Sequence, residues 1–254
     1  MKTLLIGNGY WGSIVKSKLE KYTELLYTAN SKDDIDKVLK IYNDVDYVFI
    51  CTPTSTHYDI VKKCISHKKN IFCEKPFTGD IKKAKELYDM SEENNVKIFV
   101  DNIFLYRSEF INIENNKFKK IKFIWNKFEE EFNESLFYQL LYHDLYLLIE
   151  LMNNEWDINF LNIDDKKLSL ILTNGQVISK FEYDRSYLYE KEKKIIIDDL
   201  LINFSNPLND PLSEIINSLI YNKPDFEYNK KITISTIELL NKIIYFKTNS
   251  ENYI

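Results

Sequence analysis

Three glycines near the N-terminus have the spacing of a phosphate-binding loop. Gly7, Gly9 and Gly12 form a GxGxxG pattern between a short apolar run and a helical pattern. Glycine at these places allows a tight turn, close approach of a pyrophosphate to backbone N–H groups, and close packing of helix on strand. This context favours a dinucleotide site over a plain glycine turn. The intervening residues of the predicted site are Asn8, Tyr10 and Trp11.

Two further polar segments follow later apolar runs. A Thr-Pro-Thr segment with His57 comes after one run, and Lys75 comes after the next, between a glutamate and a proline. The carboxyl ends of parallel strands meet at one edge of a sheet, so both segments should face the cleft of the glycine loop. A lysine fixed there by a proline can meet a substrate oxygen. Taken alone, Lys75 could also be a solvated loop lysine.

The residues after the second apolar run should contact the adenine ribose of the dinucleotide. An acidic residue at this place binds the ribose hydroxyls of NAD, whereas basic or hydroxyl groups suit the 2′-phosphate of NADP. The sequence has Asn30, Ser31 and Lys32 there, which favours NADP over NAD. Alternatively, Ser31 caps the next helix and Asp34 completes a capping box, and both interpretations can hold at once.

The elements that position these segments alternate through the first hundred residues. Five short apolar runs, at residues 3–6, 25–28, 47–52, 70–73 and 97–100, are separated by helical patterns. Strands that are apolar throughout and separated by helices indicate a parallel sheet covered on both faces. The predicted fold class is therefore α/β, with a Rossmann dinucleotide-binding domain over residues 1–101.

The pattern changes after Asn102 to strands that alternate polar and apolar residues. They are predicted at residues 121–128, 158–163, 168–172, 177–183 and 195–204, and an Asn-Gly pair at 174–175 indicates a hairpin. Residues 102–254 are therefore expected to form a smaller α+β domain with a mainly antiparallel sheet, whose C-terminal helices could pack back on the first domain. Residues 129–131, all glutamate, are predicted to be a solvated strand end. The aromatic residues that could fill either a core or a subunit face are Trp125, Phe160, Phe181 and Tyr183.

The order of GxGxxG, Thr-Pro-x-x-x-His and Glu-Lys-Pro resembles the Gfo/Idh/MocA oxidoreductase family. The resemblance continues through residues 99–107, which look like the crossover into the second domain, and through residues 210–220 and 222–224. It implies NAD(P)-dependent hydride transfer. The further cofactor contacts that it and the strand-end positions suggest are Thr52, Pro53, Thr54, His57, Glu74, Lys75 and Asn102.

The resemblance also implies a catalytic pair. Lys75 would contact substrate near the nicotinamide, and His143 would act as the acid/base on a helix predicted over residues 137–148. Gln139 stands where the family commonly has Asp, and helical spacing places it on one face with His143 and Tyr146, where it would orient a catalytic group. Without the resemblance, His143 would be interpreted as a core histidine. The implied substrate contacts are Lys75, Tyr106, His143 and Tyr146.

Composition excludes several other functions. A net charge of −5 and a pI near 5.4 give no bulk reason to bind nucleic acid or an anionic membrane. The apolar region at residues 140–152 is interrupted by charged residues, which predicts a buried helix rather than a membrane span. Three cysteines in apolar runs, without a CxxC pair, predict reduced thiols in a cytoplasmic protein. No spacing of His, Cys or carboxylates suggests a metal site.

The sequence therefore predicts an NAD(P)-dependent dehydrogenase or reductase acting on a CH–OH or C=O carbon of a sugar or nucleotide sugar. Lys75, His143 and Gln139 are the predicted catalytic residues. A homodimer or homotetramer is expected through the second-domain sheet. Imine reduction and redox-assisted elimination are alternative chemistries on the same scaffold, and a non-catalytic dinucleotide sensor is the alternative of another class.

Overall fold

The chain divides into two units just after Ile103. In the computed structural model, which describes residues 1–113, 118–130, 134–152, 155–222 and 224–250, the first unit joins Met1–Ile103 to Pro211–Ile237. The second unit joins Phe104–Asp210 to Glu238–Ile254. The first unit is therefore built from two separated stretches of chain rather than from one N-terminal segment.

The first unit contains a five-stranded parallel sheet in the order β2-β1-β3-β4-β5. Its strands are β1 (Lys2–Ile6), β2 (Glu24–Ala29), β3 (Tyr47–Ile50), β4 (Asn70–Cys73) and β5 (Ile98–Val100). The helices between them are α1 (Tyr10–Tyr22), α2 (Ile35–Ile41), α3 (Thr54–Ser66) and α4 (Ile81–Glu93). All four residues of β3 are buried, as expected for a strand covered on both faces. The predicted Rossmann-like fold is confirmed, and the strand order reverses between β1 and β3.

Strand β5 lies at one edge of this sheet and is covered by a segment from late in the chain. Two short helices, α5 (Ser108–Ile111) in the second unit and α7 (Pro211–Asn217) in the first, precede the long helix α8 (Phe226–Ser250). From the start of α8, Asn229 accepts the Val100 N–H at 2.8 Å and donates to the Val100 carbonyl at 2.9 Å. One side chain thus replaces a neighbouring strand at this point of the edge.

The second unit contains a six-stranded sheet in the order β11-β10-β6-β9-β8-β7. Its strands are β6 (Lys120–Asn126), β7 (Asp157–Ile163), β8 (Lys167–Thr173), β9 (Ile178–Asp184), β10 (Glu192–Ile197) and β11 (Leu200–Asn203). Only β6 and β9 pair in parallel among these strands, so the expected mainly antiparallel sheet is confirmed. The single strand predicted over residues 195–204 is wrong, because the chain turns at Asp198, which has a φ of 50°, and returns as β11.

One face of this sheet packs against helix α6 (Tyr142–Leu151), which is buried along most of its length. The continuous α-helix predicted over residues 137–148 is interrupted, because Phe137–Leu141 form a π-helical turn before α6 begins. Of the aromatic residues left open by the sequence, Trp125, Phe181 and Tyr183 are buried, whereas Phe160 is 45% exposed. Among the helices that the structure describes, none is long and apolar enough to cross a membrane.

Candidate active site

The glycine loop connects β1 to α1 and leaves the start of the helix open to a ligand. Gly9 is the N-cap residue, no side chain caps the helix, and no acidic residue lies in its first turn. Backbone N–H groups and the helix dipole at such an end favour an anion. Asn8, Gly9 and Tyr10 are exposed at this position. The loop therefore presents backbone rather than side chains to a phosphate.

At two of the glycines a side chain would collide with backbone, whereas the third faces open space. Gly7 has a φ of +100°, and a Cβ there would lie 2.3 Å from the Cys51 carbonyl oxygen. A Cβ on Gly12 would lie 2.4 Å from the Gly7 carbonyl oxygen, whereas a Cβ on Gly9 would meet nothing within 4 Å. The missing side chains let the loop turn tightly against its neighbours and leave space at Gly9, and this geometry fits the pyrophosphate of a dinucleotide.

The residues at the carboxyl end of β2 form an exposed turn. Asn30 accepts the Lys32 N–H at 3.0 Å and donates its own N–H to an Asp33 carboxylate oxygen at 2.7 Å. The N-cap of α2 is Asp34, so the interpretation of Ser31 as the capping residue is wrong. The local chain folds back on Asp33, and this turn places the cap three residues later than the sequence suggested. Asn30, Ser31 and Lys32 all remain exposed.

His57 connects two loops at the carboxyl edge of the sheet. Its Nδ1 lies 2.8 Å from the Pro76 carbonyl oxygen and its Nε2 lies 2.8 Å from the Thr52 carbonyl oxygen. The side chain is fully buried. It therefore holds the loop after β3 against the Glu-Lys-Pro loop from behind, while Thr52 and Thr54 are partly exposed and Pro53 is exposed.

The Glu-Lys-Pro loop follows β4 and is tied to the glycine loop. The Trp11 indole N–H donates to Glu74 Oε1, and the Lys75 N–H donates to Glu74 Oε2 at 3.3 Å. The Lys75–Pro76 peptide bond is cis. Glu74 is nearly buried, whereas Lys75 is partly exposed. The structure thus brings the glycine loop and the Glu-Lys-Pro loop together through Trp11.

Asp101, at the end of β5, is a site residue that the sequence analysis missed. Its carboxyl group contacts that of Glu74 and is 1% exposed. Burial raises the pKa of both carboxyl groups, and the charge of Glu74 raises the pKa of Asp101 well above its usual range. The signal available was an acidic residue at the carboxyl end of a strand. Its neighbour Asn102 is fully buried and donates to Thr233 Oγ1 at 3.2 Å.

In the second unit, His143 lies on α6 within an aromatic surround. Its Nδ1 is 2.9 Å from Tyr146 Oη, which also accepts the Phe104 N–H at 3.1 Å. The ring centroids of Phe104 and Trp125 lie 4.6 Å and 5.5 Å from that of His143. The structure therefore brings His143 and Tyr146 together as predicted. Tyr106 is partly exposed, and its backbone carbonyl accepts from Asn209 Nδ2 at 2.8 Å.

Gln139 belongs to the π-helical turn and bonds to Glu129, a residue predicted to be solvated. Its Nε2 donates to Glu129 Oε1 at 2.9 Å. Glu129 also pairs with Lys127 at 2.5 Å and with Arg185 at 3.1 Å, and its side chain is only 19% exposed. The prediction of a solvated strand end is therefore wrong for Glu129, because two cations compensate its burial. Glu130 is exposed, and Glu131 lies outside the described residues.

Directly after His143, Asp144 forms a buried ion pair that the sequence did not indicate. Its Oδ1 is 2.5 Å from Lys193 Nζ, and its Oδ2 accepts from Tyr183 Oη at 2.8 Å. The Lys193 ammonium also lies 3.6 Å from the centroid of the Trp125 ring. Burial raises the pKa of Asp144 and lowers that of Lys193 to about 8, so desolvation outweighs the attraction between the two charges.

Comparison with known proteins identifies relatives of this arrangement. Residues 13–102 match the family described as "Oxidoreductase family, NAD-binding Rossmann fold", GFO_IDH_MocA. An uncharacterized oxidoreductase of Streptococcus pneumoniae is 30% identical over 114 residues, a match that covers 39% of this chain and 31% of that protein. The curated relative is therefore matched over less than a third of its length.

Two solved structures have the same fold across nearly the whole chain. The UDP-N-acetylglucosamine 3-dehydrogenase of Acidithiobacillus ferrooxidans superposes with a TM-score of 0.84 at 18% identity, covering 95% of this chain and 96% of that one. The WlbA dehydrogenase of Thermus thermophilus, in complex with NAD and UDP-GlcNAcA, has a TM-score of 0.77 at 12% identity and covers 94% of each chain. At these identities the likeness concerns the fold.

Proposed function

We propose that this chain, a member of the Gfo/Idh/MocA oxidoreductase family, moves a hydride between a nicotinamide cofactor and a CH–OH or C=O carbon of a sugar or nucleotide sugar. The observation that carries the proposal is the joining of the glycine loop to the Glu-Lys-Pro loop by the bond from Trp11 to Glu74. A UDP-N-acetylglucosamine dehydrogenase with the same fold supports the substrate class.

The cofactor would be held by backbone and by a few side chains of the first unit. The glycine loop at the start of α1 would bind the pyrophosphate. The exposed turn with Ser31 and Lys32 would accept the 2′-phosphate of NADP, which remains our preferred cofactor over NAD. When bound, the nicotinamide supplies or accepts the hydride.

Lys75 and His143 would act on the reacting oxygen. Lys75 would donate a hydrogen bond to it and so stabilise the negative charge that develops there. In the oxidative direction, the hydroxyl proton would pass to His143 while the hydride leaves the same carbon. The bond between His143 Nδ1 and Tyr146 Oη would orient the imidazole ring for this transfer. Gln139 would position this helix turn through its bond to Glu129.

Lys75→Ala and His143→Ala test these roles. Each variant should lose turnover by a factor of about 10² or more and still bind cofactor, because removal of a positioned acid/base typically has that effect. The measurement is reduced-nicotinamide absorbance across a panel of sugars and nucleotide sugars. His67→Ala is the matched control, since His67 Nε2 lies 3.1 Å from Asp36 Oδ1 and neither residue belongs to the proposed site. Full activity of both variants would reject the assignment, and bound cofactor without turnover of any compound would favour a sensor.

We also propose a homo-oligomer formed through the sheet of the second unit. Phe160 and Ile178 are 45% and 40% exposed on its strands, and Leu200 and Leu201 are each 56% exposed on β11. Exposed apolar side chains on a sheet favour association. Light scattering of the purified protein should report a dimer or tetramer, and Leu201→Lys should reduce the mass if β11 contributes to the interface.

A further inference from the structure

Glu74 and Asp101 place two carboxyl groups side by side in the interior of the first unit. Glu74 follows β4 and Asp101 follows β5, and these strands are neighbours in the sheet. The backbone fixes both positions, because the Glu74 N–H donates to the Ile50 carbonyl and the Asp101 N–H donates to the Cys73 carbonyl, each at 2.9 Å. The two side chains are 9% and 1% exposed. They therefore meet where little of either side chain is open to water.

The hydrogen-bond partners of the two carboxyl groups are unequal. Glu74 accepts from the Trp11 indole and from the Lys75 N–H. Among the residues that the structure describes, no N–H or O–H group donates to either carboxyl oxygen of Asp101. Two ionised carboxylates in contact repel each other, and a buried carboxylate without a donor loses its hydration. One proton bound between the two groups removes both the repulsion and the cost of the lost hydration. We place it on Asp101, whose carboxyl group then donates a hydrogen bond to the ionised Glu74.

The pair lies beneath the half of the cleft that would receive the nicotinamide. In a doubly wound sheet, residues at the end of the second strand bind the ribose next to adenine. The pyrophosphate binds at the loop after the first strand. With the order β2-β1-β3-β4-β5, the adenosine half extends over β2, so the other half extends over β3 and β4. Trp11 lies in the first turn of α1 and bonds to Glu74, which connects the pair directly to the helix end that would bind the pyrophosphate.

We propose that Glu74 and Asp101 share one proton at neutral pH and that loss of this proton makes the first unit prefer the oxidised over the reduced cofactor. The inference rests on the proposed function only in that the chain binds a nicotinamide dinucleotide. The oxidised nicotinamide ring carries a positive charge and the reduced ring is neutral. A pair with a charge of −1 becomes a pair with a charge of −2 as pH rises, and only the oxidised ring gains from that change.

The groups that face the pair do not offer another explanation for a change in charge. Burial raises the pKa of the Cys51 and Cys73 thiols well above the usual range, so both stay neutral near pH 8. The charge of Lys75 lowers the pKa of both carboxyl groups, but burial is the larger effect and the pKa of each remains raised. Trp11 does not titrate. Of these groups, the acid pair is therefore the one whose charge we expect to change.

The experiment compares dissociation constants of oxidised and reduced cofactor between pH 6 and pH 9 by calorimetry, using NAD and NADH and then NADP and NADPH. In the native protein, the ratio of the reduced-form to the oxidised-form constant should rise by about tenfold, the change that one unit of pKa coupling produces. Binding of the oxidised form should also release protons, measured as a dependence of the heat on the ionisation enthalpy of the buffer.

Asp101→Asn is the main variant because an amide can still donate to Glu74 but holds no titratable proton. Its ratio should stay constant with pH, and its binding of the oxidised form should release no additional proton. Glu74→Gln provides a second non-titrating pair if the first variant folds poorly. Asp80→Asn is the matched control, since Asp80 caps α4, a position where Asn serves equally well, and the native pH dependence should remain.

The outcomes separate the two proposals. If the native protein binds neither form of any cofactor, the proposed function fails. If it binds both forms with a ratio that does not change with pH, the function stands and the inference is rejected. A ratio that rises with pH equally in the native protein, in Asp101→Asn and in Glu74→Gln also rejects the inference, because the titrating group must then lie elsewhere.

Discussion

Each unit buries one aspartate at its candidate site, and the two units satisfy that aspartate differently. Asp101 in the first unit and Asp144 in the second are both 1% exposed, and burial raises the pKa of both. Asp101 contacts the carboxyl group of Glu74, whereas Asp144 pairs with the Lys193 ammonium. A buried carboxyl group thus needs compensation of its negative charge. In the first unit a bound proton compensates it, and in the second unit the Lys193 ammonium does so.

This difference determines what each site tolerates. The proton of the acid pair exchanges with solvent, so its charge follows pH. The lysine is covalently part of the chain, so its removal leaves a bare carboxylate in the interior. The acid pair is therefore suited to sensing charge nearby, and the ion pair to fixing the segment that follows His143.

Removal of the lysine should have the largest effect. Lys193→Met keeps the length of the side chain but leaves Asp144 without its cation, and we expect a loss of about 3–5 kcal/mol in the free energy of unfolding at pH 7. Urea denaturation followed by circular dichroism measures it. Addition of Asp144→Leu to this variant should recover at least half of the loss, and no recovery would indicate that packing of the lysine stem, rather than its charge, is what matters.

Removal of the second donor to Asp144 should have a smaller effect. Tyr183 donates to Asp144 Oδ2 at 2.8 Å. Tyr183→Phe deletes this bond and retains the ring, so we expect a loss of about 2 kcal/mol, the typical value for a hydrogen bond to a charged group. The same denaturation experiment applies, with Tyr189→Phe as the control because Tyr189 is 80% exposed. Equal stability of the two variants would show that Lys193 alone satisfies the carboxylate.

Neutralisation of the acid pair should increase stability. The pKa of Asp101 is raised in the folded protein, so between about pH 4, its unfolded value, and the folded value the folded state binds more protons than the unfolded state. Native stability therefore falls as pH rises through this window. Asp101→Asn has no carboxyl group to ionise and does not lose stability in this way. Its free energy of unfolding at pH 8 should therefore exceed that of the native protein by about 1 kcal/mol. Denaturation at pH 4 should show the difference disappearing, and a destabilised variant at pH 8 would contradict a shared proton.

The smallest effect is expected at the surface beside the buried lysine. Lys194 pairs with Glu192 at 2.7 Å, and both side chains are 29% exposed. Lys194→Met should change the free energy of unfolding by no more than about 0.5 kcal/mol, because solvent and salt screen such pairs. A loss similar to that of Lys193→Met would mean that burial does not explain the contrast between neighbouring lysines.

The parts of the site that the sequence predicted depend on local backbone requirements. The glycine loop could be recognised because Gly7 and Gly12 stand where a side chain would collide with backbone. The Glu-Lys-Pro segment could be placed because it follows a short strand whose last three residues are apolar. The alternating pattern of β8 and β9 likewise predicted buried and exposed faces that the structure confirms.

The parts that the sequence did not predict depend on tertiary contacts or on a local irregularity of the backbone. Asp144 and Lys193 are separated by 49 positions, and nothing near either residue indicates its partner. Glu129 looked solvated within an acidic run, and only the approach of Lys127 and Arg185 accounts for its burial. The π-helical turn at Phe137–Leu141 leaves no mark on a segment that is apolar on several sides, so a regular helix was the natural expectation.

The amide of Asn229 at the edge of β5 also bears on association between chains. The last strand of an open sheet presents unpaired N–H and C=O groups that can recruit a strand from another molecule and begin aggregation. At Val100 both groups are already bonded to Asn229. The late segment of the chain therefore closes the β5 edge to intermolecular strand pairing at Val100, and it does so with a single side chain rather than with an additional strand.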